Sequence, residues 1–174
     1  GVSIDLPPPF AKTASEARHS YVQVEFPKGN QFLLTAGLSD KLRTSVILDN
    51  QDANHVRLYK AAISFSDAEP VLPQYPAIKI SGRLVGFAPE AWQAVLANNT
   101  TAKKPKQETA GAPLPIELDM DYLSVMTGDS TSATTSELPG NTPLVNGTVR
   151  ELSIDDRHLG EFVIVTDGDK EGMQ

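Results

Sequence analysis

Ile116-Glu117-Leu118-Asp119-Met120-Asp121-Tyr122-Leu123-Ser124-Val125-Met126 is the stretch on which the fold turns. Ile116, Leu118, Met120 and Tyr122 alternate with Glu117, Asp119 and Asp121. That is the period of two of a strand with one face in a core and the other in water. The same signal recurs in both directions. Toward the N-terminus, the stretch Tyr21 to Phe26 sets Val22, Val24 and Phe26 against Gln23 and Glu25, and Pro27-Lys28-Gly29-Asn30 turns it into a second strand over 31–35. Strands over 43–48 and 56–65 follow, with a polar turn over 49–54 between them. In the second of these, Val56 and Leu58 do not share the parity of Ala61, Ile63 and Phe65, so a β-bulge is expected near Lys60 and Ala61. A strand over 77–81 leads into a bend between Gly82 and Gly86. Toward the C-terminus come short strands around Val145 and Val149, a strand over 151–154, a turn at Asp155-Asp156 and a last strand over 159–166. The run Phe162-Val163-Ile164-Val165 is apolar at every position and predicts burial on both faces, in a sandwich core or a subunit contact.

One helix interrupts this pattern, near 89–98. Pro89 suits a first helical turn, Glu90 complements its positive end, and Trp92, Val95 and Leu96 form one apolar stripe. Eight or nine strands with one short helix, and no strand–helix alternation, predict a mainly β domain. The expected form is an antiparallel β-sandwich or a jelly-roll-like fold. The chain divides into an extended proline-rich arm over 1–20, a single β domain over 21–166 and an acidic tail over 167–174. Two long polar loops, 100–113 and 128–142, carry no apolar periodicity.

The composition excludes several classes. With a net charge of −7, the chain is a poor generic partner for nucleic-acid phosphates. Tyr21, Tyr59, Tyr75, Phe87 and Trp92 lack the interleaved Lys and Arg of a single-strand binder, apart from Arg57 and Lys60. The chain has no cysteine, so thiolate metal sites, disulfides and thiol catalysis are out. No apolar run reaches the roughly 18 residues of a membrane span, so no membrane insertion is expected. Gly1 to Phe10 shows no basic-then-apolar signal-peptide pattern. The expected location is in solution or within an extracellular or viral assembly.

Catalytic signatures are missing. His19, His55 and His158 show no metal-binding spacing, and there is no nucleophile elbow and no phosphate-binding glycine motif. Asp167-x-Asp169-x-Glu171-Gly172 resembles only the opening of a calcium loop, because the chain ends before the required glutamate. The strongest ligand candidates are Glu117, Asp119 and Asp121. Alternate strand residues share a face about 6.6 Å apart, so a pair of carboxylates can approach one hard cation. Calcium is therefore the one cofactor considered; no other is expected. A second group of candidates concerns assembly. Pro7, Pro8, Pro9 and Phe10 form an arm able to lie on a neighbour, and Phe162 and Ile164 lie in the apolar last strand.

Two functions are expected from these features. The first is a non-catalytic structural subunit of a homo-oligomeric assembly, as a virion or surface component. The alternative is a monomeric β-sandwich binding module for carbohydrate or another small ligand, with or without calcium. An enzyme using a carboxylate pair ranks third, since no single acid stands out as poised.

Overall fold

A computed structural model describes residues 7, 9–10, 19–27, 29–39, 41–52, 55–91, 113–127 and 144–165. Among these, eight strands form: β1 (Ser20–Glu25), β2 (Gln31–Leu38), β3 (Leu42–Asp52), β4 (His55–Phe65), β5 (Ile78–Phe87), β6 (Ile116–Val125), β7 (Val145–Ile154) and β8 (Arg157–Val165). Helical backbone starts at Pro89 and is described to Ala91. Trp92 and the rest of the expected helix, most of the arm, the tail and nearly all of both long loops lie outside the described residues. The fold is all-β with one short helix, consistent with the sandwich and jelly-roll class. The segments around Val145, Val149 and 151–154 are one strand, and β3 continues to Asp52 through most of the expected turn.

The strands join in chain order into one hydrogen-bonded sheet. β1 to β4 form an antiparallel meander, and β7 and β8 an antiparallel hairpin. The three pairings between them, β4·β5, β5·β6 and β6·β7, are parallel, where antiparallel pairing was expected. The connections account for this. Parallel neighbours need a crossover of about a dozen residues or more. The long intervals 66–77, 88–115 and 126–144 fall at these three places. The first is fixed to β4 by Lys60, whose Nζ donates to the Pro73 carbonyl at 3.0 Å.

The register lines up apolar residues in rows across the sheet. Val24, Leu34, Val46, Ala61, Ile78, Ile116 and Val145 are successive partners from β1 to β7. Val22, Ala36, Thr44, Ile63, Ile80, Leu118, Gly147 and Ile164 run across all eight strands. The core sits on this face toward one end, where Leu84, Met120, Val149 and Leu152 are buried together. Burying each such side chain stabilises by about 1.5–3 kcal/mol. Phe65, Ile80, Leu123, Val125 and Ile154 pack around them.

Bulges set which residues reach that core. Ile47 pairs with Lys60 and Leu48 with Leu58, leaving Tyr59 as the extra residue of β4. This is the parity change expected one residue further on. A second shift, between Gly82 and Arg83, leaves Asp121 unmatched on β6. Met120 and Leu123 therefore both turn to the core, and Tyr122 leaves the face it was expected to share with Met120. The Arg83 guanidinium lies 5.0 Å from the centre of the Tyr122 ring instead. Gly82 makes the bulge feasible: its φ is +99°, and a Cβ there would lie 2.7 Å from the Phe65 carbonyl oxygen.

The last strand departs most from expectation. Phe162, Val163 and Val165 are 50%, 60% and 69% exposed, so the apolar run is not buried on both faces within the chain. The physical reason is position: among the described strands β8 pairs only with β7 and is outermost in the sheet.

Replacing Gly82 by Ala is expected to destabilise the domain by about 1–3 kcal/mol, from a strained φ and a backbone clash. Urea unfolding followed by circular dichroism measures it; an unchanged midpoint would show that the bulge does not depend on glycine.

Candidate functional site

The acid row lies where its alternation places it, on the sheet face opposite the core. β6 is flanked by parallel strands, so its residues meet partners at equal levels: Lys79, Glu117 and Asn146 form one row, and Ser81, Asp119 and Thr148 the next. The decisive partner is Arg150 on β7. Its Nη2 donates to Asp119 Oδ1 at 2.8 Å and its Nη1 to Asp121 Oδ1 at 3.0 Å. The hydrogen bond and charge of Asp119, aided by Asp121, push the guanidinium further above its usual range. The group keeps about half its surface in water, so screening limits what these pairs add to stability.

Asp119 and Asp121 thus converge, but on a guanidinium. Glu117 stands level with Lys79 and outside that pair. Among the described residues no group of three or more His, Cys, Asp or Glu is arranged to hold a metal ion. Glu117, Asp119 and Asp121 form no such cluster, and of the carboxylate pairs expected to be able to approach a cation, Asp119 and Asp121 meet Arg150 instead. Asp119 and Asp121 border a polar groove of about 270 Å³, whose lining includes Ser64, Ser66, Lys79 and Arg150. The Oγ atoms of Ser64 and Ser66 are 2.8 Å apart and hydrogen-bonded.

The expected assembly residues separate. Pro7 and Phe10 close a turn in which the Phe10 amide donates to the Pro7 carbonyl at 3.1 Å. The Phe10 ring then packs on its own domain, 6.1 Å from the Phe65 ring and against the core. Pro9 borders the same place, and Pro8 lies outside the described residues. Phe162 and Ile164 lie on the core face of β8, with Phe162 half exposed.

Each outer strand is anchored by one polar device that the sequence reading did not single out. At the β1 edge, Tyr21 pairs with Gly37, which pairs with Arg43. Lacking a side chain, Gly37 lets the Tyr21 ring lie across β2, where a Cβ would collide with it. Arg43 Nη1 donates to Tyr21 Oη at 2.7 Å, and its guanidinium sits 5.3 Å from the ring centre. At the β8 edge, Asp155 and Asp156 take positive φ values of 46° and 63° in the turn from β7, where a turn was expected. The Asp155 carboxylate accepts the Thr127 hydroxyl and, at 2.7 Å, the Thr127 amide. These bonds, the hydroxyl first, hold the Asp155 carboxyl below its ordinary range. No helix among the described residues is long and apolar enough to cross a membrane.

Two outcomes follow from this geometry. A carboxyl with a lowered pKa contributes stability above the ordinary aspartate value of about 3.9, and loses it as pH falls through the lower folded value. Thr127→Val should raise the Asp155 pKa in a carboxyl NMR titration and flatten the fall in Tm below about pH 4; an unmoved Asp155 pKa would contradict the hydrogen-bond assignment. Millimolar calcium should leave Tm unchanged, because Arg150 already bridges the two aspartates; a calcium-dependent rise abolished by Asp119→Asn would reverse that conclusion. Compared with known protein families, curated proteins and solved structures, the chain matches none.

Proposed function

We propose that this chain is a non-catalytic structural subunit of a homo-oligomeric assembly, a virion or surface component whose copies join through the edges of the sheet. The observation that carries the reading is the exposed apolar run Phe162 to Val165 on an outermost strand. An uncharged apolar edge strand invites pairing with another chain, and single domains normally blunt such an edge with charge, proline or a covering element. Between Glu161 and Thr166 this strand has neither charge nor proline.

The opposite edge is apolar on one face, with Gln23 and Glu25 on the other. Every residue of β1 is exposed, including Val22 and Val24, and Phe26 beyond it is exposed while meeting Phe32 edge-on at 5.5 Å. Val22 and Ile164 end the same apolar row, so a second copy at either edge would extend that row. A heterologous contact of this kind makes rings or filaments, and pairing of like edges makes two-fold dimers. Burial of apolar side chains and pairing of exposed strand edges would supply the affinity.

Size-exclusion chromatography with light scattering, at two protein concentrations, tests the reading. A stable multiple of 18.7 kDa is expected. Val163→Lys combined with Val165→Lys should return the mass to one chain with an unchanged circular dichroism spectrum. If Val22→Lys does the same, the contact joins β8 of one copy to β1 of the next. A wild-type chain that stays at 18.7 kDa at both concentrations would sink the proposal.

A further inference from the structure

The groove beside Asp119 and Asp121 does not end there, and it plays no part in the assembly reading. The crossover 66–77 lies on the same sheet face and walls it. Ala62 and Ser64 of β4 are buried on that face, and the Lys60 Nζ donor holds the Pro73 carbonyl against it. Along this wall the groove of about 270 Å³ adjoins a second one of about 280 Å³, and Val71 and Lys79 line both. Each falls just below the usual range of ligand pockets, roughly 300–1,000 Å³, and joined they lie within it.

The floor is polar, and several of its groups are already held in place. Register sets Ser64, Ser81 and Asp119 level on β4, β5 and β6, so all three face the same way. Arg150 takes one oxygen of Asp119 and one of Asp121; among the described residues the Oδ2 atom of each makes no hydrogen bond. The Ser64 and Ser66 hydroxyls are bonded to each other, which leaves one hydroxyl proton of the pair to donate. Lys79 and Glu117 are level, half-buried and opposite in charge. Among the described residues neither side chain has a hydrogen bond or an ion pair. The second groove adds apolar surface, from Tyr75 at 54% exposure and Val71 at 73%.

A pyranose ring complements this arrangement. Its rim of hydroxyls donates to carboxylates and accepts from Lys, Arg and Ser, and its C–H face suits a tyrosine ring, which is apolar in body and polar at the tip. Other ligands fit less well. Arg150 occupies the place of a hard cation. A polyanion would face Glu69, Asp119, Asp121 and Glu117 with only Lys79 and Arg150 to receive it. An apolar molecule would strip water from these charges and replace none of their hydrogen bonds. We infer that the joined grooves bind a neutral oligosaccharide, one ring hydrogen-bonded at Asp119, Asp121 and Ser64 and the next lying against Tyr75 and Val71.

Titration calorimetry on the full chain with cellotriose, maltotriose and mannotriose tests this. Saturable binding of at least one, with a Kd of about 0.1–1 mM, is expected, because sugar hydroxyls exchange water for protein partners at small net gain. That trisaccharide should bind at least about tenfold more tightly than its monosaccharide, a gap of roughly 1.4 kcal/mol, since two rings are engaged. Trigalacturonate should bind at least about tenfold more weakly than the preferred neutral sugar. Asp119→Asn combined with Asp121→Asn should weaken binding at least about tenfold, with the circular dichroism spectrum reporting whether the fold is kept. Tyr75→Ala changes the wall and not the sheet; it should bring the trisaccharide down to the affinity of the monosaccharide even if the aspartate variant proves unstable. Amide NMR signals of Lys79, Ser81 and Asp119 should shift on titration. No saturable binding of any neutral trisaccharide, shifts confined to other parts of the sheet, equal binding of trigalacturonate, or full affinity in a folded aspartate variant or in Tyr75→Ala would overturn the inference.

Discussion

The parallel register of β4 to β7 is the constraint on which the rest of the structure depends. It places Gly82, Met120 and Val149 at one level, and Met120 and Val149 are among the most buried side chains of the sheet. Parallel sheets are usually covered on both faces. Here the face opposite the core carries Lys79, Asp119, Asp121 and Arg150, a charged surface that stays wet. Toward β3 and β4 that face is covered, with Ser45, Ala62 and Ser64 buried, while the main apolar cluster lies on the other face, deepest in the middle of the sheet. A sheet so arranged gains its stability centrally, and its outer strands depend on local devices.

Those devices are the Tyr21–Arg43 contact and the Asp155–Thr127 contact. Both work across strands rather than along them. Tyr21 reaches over Gly37 to a residue two strands away. Thr127 follows β6 and holds the turn between β7 and β8. Each fixes the position of an edge strand without covering it. The edges are thus ordered in place yet left with unpaired backbone groups and exposed valines, a state in which a partner would find little ordering entropy left to lose.

The pattern of strands was legible because a period of two is a local property. The alternation over 116–121, the parity change before Ala61 and the turn at Asp155-Asp156 all match elements seen. Strand direction was not legible, although its cause was in view. The polar stretches 100–113 and 128–142 read as loops to be explained, while their length is what two of the three parallel pairings, β5·β6 and β6·β7, require. The same gap hid Arg150. Asp119 and Asp121 read as acids in search of a cation, and the partner that meets them lies about thirty residues on, visible only once β7 is known to run beside β6. Bulges were the other obstacle: Asp121 shifts the phase of β6, so Tyr122 and Leu123 exchange faces against a strict alternation.

The last strand shows how a local reading of burial leaves the neighbour that supplies it open. An unbroken apolar run suits two apolar surroundings, and among the described strands Phe162 to Val165 has only β7 beside it. Closing the sheet on itself would bring β8 to β1, and the described strands keep those edges apart in the pairing order. The rows that begin at Val22 and Val24 and the row that ends at Ile164 are therefore open at their ends. Water at those ends is costly for the same reason that Met120 and Val149 are dry: apolar surface is driven out of water wherever a complementary apolar surface is within reach. Since both edges expose valines and lie at opposite ends of common rows, the proposed assembly assigns to another copy of the chain the complement that each of them lacks.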